Sequence, residues 1–204
     1  MKLSSNCKIY LLFPLFIFLY GCSTTKPISS PQVSSSSQHQ ADVAQLASWQ
    51  IKGKLAFISP NERQSANVLW QVKDHAVEKL SLSTFLGINI VDIEQTSEHY
   101  LIHADGETHQ GNNLALLIWQ LTGLTLPVDA LSHWLKASPY LPSDKLSYQA
   151  QQVLPYQLSS HFNQQQWQVK YRQFKMVNNV MLPHKVDITQ GDLTIKLQIN
   201  RWET

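Results

Sequence analysis

Trp49-Gln50-Ile51-Lys52-Gly53-Lys54-Leu55-Ala56-Phe57 sets Trp49, Ile51, Gly53, Leu55 and Phe57 in strict alternation with Gln50, Lys52, Lys54 and Ala56. A period of two is the mark of a strand with one dry face and one wet face. Working outward, Ser59-Pro60-Asn61-Glu62 is a turn, and the period resumes with Ala66, Val68, Trp70 and Val72, then with Leu80 and Leu82. Three consecutive strands predict an antiparallel meander. On the N-terminal side, Val43, Leu46 and Ala47 have helical spacing and predict a short leading helix over 41–49.

Beyond the meander, Phe85-Leu86-Gly87 interrupts the pattern before 88–93 restores it, and Tyr100-Leu101-Ile102-His103 is a further strand ending at an Asp105-Gly106 turn. Helices follow. Asn112 is the expected N-cap of a helix through Gln120 with Gly123 as its stop, and 129–137 forms a second, with Leu131, Trp134 and Leu135 on one stripe. Alternation returns at Trp167, Val169 and Tyr171, at Val186 and Ile188, and at Leu193, Ile195, Leu197 and Ile199, with Gln190-Gly191-Asp192 turning the last pair into a hairpin. The predicted fold class is mostly β (α+β): a single curved antiparallel sheet rolled around the helices.

The first residues read as an address. Met1 to Lys8 carries two positive charges, and the apolar run from Tyr10 to Tyr20 is too short to span a bilayer but suits a secretory signal. Leu19-Tyr20-Gly21-Cys22 resembles the bacterial lipobox, which implies cleavage after residue 21 and lipidation of Cys22; Ser23 in the sorting position implies delivery to the outer membrane. A plain signal peptide that happens to contain Cys22 is the alternative. Residues 22–40, with Ser34-Ser35-Ser36-Ser37, are too polar to bury anything and are expected to form a disordered tether, leaving 41–204 as the globular domain. With Cys7 in the signal and Cys22 acylated, the domain keeps no cysteine for a disulfide, so its stability must come from burial.

Charge narrows the partners. Sixteen Lys and Arg face fourteen Asp and Glu, and two of the lysines, Lys2 and Lys8, lie in the signal, so the body is neutral. A nucleic-acid partner, which requires a basic surface, is not expected. No hydrolase, phosphate-loop or dinucleotide motif is present, and neither enzymatic activity nor a cofactor is expected. His103, Asp105 and His109 have a metal-like spacing, but a hairpin turn with exposed flanking histidines accounts for them and no metal is expected.

Several segments together resemble one family. They are the lipobox at Cys22, Leu82-Ser83-Thr84-Phe85-Leu86-Gly87, Leu121-Thr122-Gly123-Leu124-Thr125-Leu126-Pro127, Leu131-Ser132-His133-Trp134-Leu135, and Leu197-Gln198-Ile199-Asn200-Arg201-Trp202. In this order, over nearly the whole mature chain, they resemble the LolB family of outer-membrane lipoprotein receptors. Phe85 and Thr125 stand where that family often has proline, a departure that bears on local loop shape.

The resemblance implies an unclosed β-barrel with helices as a lid over an apolar cavity. It implies a receptor, anchored in the outer membrane and facing the periplasm, that accepts client lipoproteins from the carrier LolA and inserts them among the lipids of that membrane. A monomer is expected. The candidate acyl-chain cavity residues are Trp70, Leu80, Leu82, Trp134 and Trp167, each of which ordinary core packing would also explain. Phe85, Leu86 and Gly87 form the membrane-insertion loop by the same resemblance; the alternative is a tight turn with Leu86 packed on its own sheet. The competing function is a static lipid-binding or envelope-assembly lipoprotein with the same barrel.

Overall fold

A computed structural model describes residues 34–123 and 125–204. The expected signal segment 1–21, Cys22, most of the expected tether and Leu124 lie outside the described residues. One sheet of eleven antiparallel strands dominates: β1 (Trp49–Ile58), β2 (Arg63–Lys73), β3 (Ala76–Ser83), β4 (Asn89–Gln95), β5 (Tyr100–Ala104), β6 (Glu107–Gly111), β7 (Lys145–Tyr148), β8 (Pro155–Phe162), β9 (Gln165–Val177), β10 (Val180–Gln190) and β11 (Leu193–Glu203). Three helices accompany it: α1 (Ser36–Ala44), α2 (Leu114–Thr122) and α3 (Val128–Trp134).

The strand order β6-β5-β4-β3-β2-β1-β11-β10-β9-β8-β7 places the first and last strands side by side in the middle, and β6 and β7 remain as unpaired edges. The sheet curls without closing. Its inner face is a continuous apolar lattice: Ile51 opposes Trp70 and Trp202, Trp70 opposes Leu80, Leu80 opposes Ile93, and Ile93 opposes Ile102. Such cross-strand pairs are what fix register when one face is dry.

Two-residue turns impose the curl's regularity. Asp74-His75, Asp105-Gly106, Asn163-Gln164 and Asn178-Asn179 each hold positive φ at both central positions, the geometry that matches strand twist in tight hairpins. Gly53 has a different task. A Cβ there would stand 2.2 Å from the Gln198 carbonyl oxygen, and the β1–β11 register shifts beside it. The chains approach closely at this bulge because no side chain intervenes.

Registers define two ends. At one end lie Trp49, Val72 and Val177; at the other lie Ile58, Ser83 and Gln190. The first end is closed by α3 and α1. His133 stacks on His75, the hairpin residue there, and Lys136 Nζ donates to the Leu46 carbonyl oxygen at 2.6 Å.

The leading helix departs from the expected boundaries. It spans Ser36–Ala44 rather than 41–49, so residues 36–40, expected in the tether, belong to the folded domain. Ser35 caps it by accepting from the Gln38 amide, and His39 and Val43 are fully buried. His39 supplies the reason: its Nε2–H donates to the Met181 carbonyl on β10 at 2.8 Å, while Nδ1 accepts from Gln40. α2 is capped by Asn113, one residue after the predicted position, and Gly123 ends it at φ 70°.

Candidate functional site

The concave side of the sheet and the two mid-chain helices enclose a cavity of about 470 Å³, within the range of small-molecule sites. Leu55 and Phe57 of β1, Trp70 of β2, Leu80 and Leu82 of β3, and Ile188, Ile195 and Leu197 of the β10–β11 hairpin form the wall. Ile118 of α2 with Val128, Leu131 and Leu135 at α3 form the cover. Of the polar lining residues, Glu62, Gln64 and Ser65 belong to the β1–β2 hairpin, at the end opposite α3, and Thr122 is the last residue of α2. The hollow is therefore greasy, blind at the α3 end and open at the other.

Three of the predicted cavity residues, Trp70, Leu80 and Leu82, are on this wall. Trp134 and Trp167 are not among the lining residues. The predicted α3 stripe splits: Leu131 and Leu135, four apart, face the cavity, while Trp134 turns toward β8 and β9, where it meets Trp167 at 5.8 Å and Phe162 at 6.4 Å. Its Nε1–H donates to Asp144 Oδ2 at 3.0 Å. Burial alone would raise the Asp144 carboxyl, but this bond and those from the Tyr140 and Leu141 amides hold it below the usual carboxylate range. The two indoles are structural members of the packing between α3 and the β8–β9 hairpin. Ile118, Leu131, Ile188 and Ile195 line the hollow although the sequence marked them only as apolar-face residues. Which face of which element borders a void depends on how far the sheet curls, and no local spacing encodes that.

At the open end the β3–β4 loop stands out from the sheet. Phe85 is 88% exposed and Leu86 71%, with Ile88 exposed beside them. The loop is held from within: the Gly87 amide donates to the Thr84 carbonyl at 3.0 Å, the Ile88 amide donates to Thr84 Oγ1 at 3.2 Å, and Gly87 adopts φ 83°. With its hydrogen bonds satisfied locally, the loop presents Phe85 and Leu86 outward rather than folding them onto the sheet.

The histidine spacing makes no metal centre among the described residues. His103 pairs with Thr108 across the β5–β6 hairpin and bonds its hydroxyl at 2.8 Å, whereas His109 pairs with Ile102, so neighbouring register positions send the two rings to opposite faces.

An open antiparallel sheet curled around helices over a one-ended apolar hollow defines a class, the unclosed half-barrels with an apolar interior. A LolA superfamily protein of Nitrosomonas europaea shares this fold, with a TM-score of 0.54 at 8% identity over 84% of this chain and 94% of its own. The family described as outer membrane lipoprotein LolB matches residues 47–202, and the chain belongs to that family. Relatives named outer-membrane lipoprotein LolB include those of Pseudoalteromonas translucida, 33% identical over 95% of this chain and 93% of its own, and Aeromonas hydrophila subsp. hydrophila, 33% identical over 91% of each. That of Psychromonas ingrahamii is 30% identical over 99% of this chain and 96% of its own. Membership places this chain in the outer membrane as a lipoprotein.

Proposed function

We propose that this chain is the outer-membrane receptor that takes client lipoproteins from the soluble carrier LolA, holds their acyl chains in the cavity and releases them into the membrane. One observation carries this: the apolar hollow opens at the same end of the sheet from which Phe85 and Leu86 project. A cavity with its mouth beside a greasy, outward-pointing loop suits handover between a carrier and a bilayer.

The energetics require such a shelter. Each CH₂ moved into water costs about 0.8 kcal/mol, so acyl chains do not cross the periplasm bare at a useful rate. Passage from carrier to receptor to membrane needs only a difference in affinity at each step, about 1.4 kcal/mol for a tenfold bias. Nucleotide and covalent chemistry have no part in this scheme, and the receptor acts as a monomer and not as an enzyme. The same proposal has residues 1–21 removed as a signal and Cys22 carrying the anchor.

The test is transfer from a loaded carrier to vesicles bearing the receptor. Leu86→Glu is expected to accept the client normally and deliver it poorly, because the side chain is exposed and its replacement leaves the fold intact. Depletion is expected to leave lipoproteins stranded on the carrier. Correct insertion of outer-membrane lipoproteins in depleted cells would overturn the receptor reading and favour a static assembly role.

A further inference from the structure

We propose that the outer face of α2 is a second bilayer contact: Leu116 and Trp119 enter the lipid interface alongside the β3–β4 loop and seat the mouth of the cavity on the membrane. The inference rests on the receptor reading and adds a surface to it.

The helix reads Leu114-Ala115-Leu116-Leu117-Ile118-Trp119-Gln120-Leu121-Thr122, apolar almost all round. A helix of that kind is expected to be covered on every side. Here only one side is: Leu114 and Leu117 are buried and Ile118 borders the cavity, while Leu116 is 50% and Trp119 51% exposed. Leu121 is exposed as well. The helix also reaches the cavity at Thr122, across from Ile90 behind the β3–β4 loop, so its outer face and the loop flank one opening. Apolar surface on that scale marks an interaction site.

Three observations select lipid as the occupant. First, residues 111–128 contain no Asp, Glu, Lys or Arg, and neither do residues 80–91, which include the loop. The charged groups at this end, Glu62, Arg63, Asp105, Glu107 and Asp192, belong to other turns. A hydrocarbon surface asks for such a charge-free flank. Second, Trp beside Leu at the edge of an apolar surface is the pairing favoured at membrane interfaces. Third, the chain is an outer-membrane lipoprotein, and twelve peptide spans separate Cys22 from Ser34, a reach of about 40 Å when extended. That exceeds the ~30 Å length of a ten-residue strand such as β1, so the anchor permits the mouth to face the bilayer.

The protein carries its own reporter. Of its six tryptophans, Trp49, Trp70, Trp134, Trp167 and Trp202 are buried and Trp119 alone is exposed. Full-length lipidated protein is reconstituted in phosphatidylethanolamine vesicles whose acyl chains carry bromine. The expected result is quenching of an emission component that Trp119→Phe removes, together with loss of acrylamide access to that component. The double variant Leu116→Ser, Trp119→Ser is expected to lower delivery on the order of tenfold while uptake from the carrier stays unchanged, since neither residue lines the cavity. A nitroxide at Leu86→Cys separates the two layers of the proposal. Lipid contact at position 86 without quenching at Trp119 overturns the α2 contact and leaves the receptor reading standing; contact at neither position overturns both. Shielding of Trp119 that appears only on adding the carrier, or only as receptor density rises, assigns the face to a protein and overturns the inference.

Discussion

Lys136 Nζ donates to the carbonyl oxygen of Leu46 at 2.6 Å, and this bond between the turn after α3 and the segment after α1 shuts the blind end of the half-barrel. Lys136 is 2% exposed and no carboxylate pairs with it among the described residues. Burial pulls its ammonium down to about 8 from the ordinary 10.5. Between those values the unfolded chain binds more protons than the folded one, so stability rises with pH above about 8 and the whole cost of the buried charge is present below it. The shift is worth on the order of 3 kcal/mol. Urea midpoints are expected to climb from pH 7.5 to 9.5 in the wild type and to stay level in Lys136→Met. A level wild-type profile would remove the charge from this site.

His39 predicts a loss at the other side of neutrality. Burial lowers its imidazole below the ordinary 6.5, and the neutral ring is the form that donates to Met181 while accepting from Gln40. As pH falls below 6.5 the unfolded chain is protonated first, and stability drains until the folded pKa is passed. Amide exchange over α1 is expected to quicken between pH 7 and 5 before the sheet loosens. His39→Gln retains a donor toward Met181 without a titrating group, and its α1 protection is expected to be insensitive to pH over that range.

The same helix shows where the sequence stops being legible. Ser34 to Gln40 is as polar as a linker, and the burial of His39 depends on a carbonyl more than a hundred residues away, so no local pattern announces it. β7 and β8 escaped for a related reason. In β8 only Leu158 and Phe162 keep a long apolar rhythm, and the inner position between them is a buried serine, Ser160, opposite Trp167. β1, β2 and β11 were readable because large apolar residues hold most inner positions, Gly53 and Ala66 being small, and both capped ends of α2 were readable to within a residue. For the site, alternation found the dry face, but Trp70 and Trp167 look alike in sequence. Only the curl of the sheet leaves a void beside the first and packs Trp134 against the second.

Gly53 tests the tight crossing of the central strands. Gly53→Ala drives a methyl to 2.2 Å from the Gln198 carbonyl oxygen, which is backbone and cannot rotate aside. The β1–β11 pairing must part locally, at an expected cost of about 1–3 kcal/mol in denaturant unfolding. A variant as stable as the wild type would show that the bulge is not a tight contact in solution.

Ala66 lies on the cavity wall opposite Leu55 and offers a way to fill the void without disturbing the packed end. Ala66→Trp directs an indole into space that is already apolar and empty, so it is expected to cost less than the roughly 1–3 kcal/mol of overpacking a filled core. Binding of a spin-labelled 16-carbon fatty acid is expected to be lost, along with uptake from the carrier. If the filled variant binds the probe with wild-type affinity, acyl chains are held elsewhere.

The described domain begins at α1, which packs at the blind end, while Leu86 and the cavity mouth are at the other. An anchor at Cys22 must therefore reach back along a sheet about 30 Å long before the mouth can meet lipid. Twelve peptide spans permit about 40 Å, a margin of only a few residues. Removing residues 25–32 leaves four spans, about 14 Å, which holds the blind end near the membrane and keeps the mouth away from it. Such a protein is expected to fold, to remain anchored and to take clients from the carrier, yet to deliver them poorly. Replacing the deleted residues by an equal number of glycines and serines is expected to restore delivery, because reach and not sequence is what the segment supplies. Wild-type delivery by the shortened protein would mean that clients enter the bilayer without the mouth of their own receptor touching it.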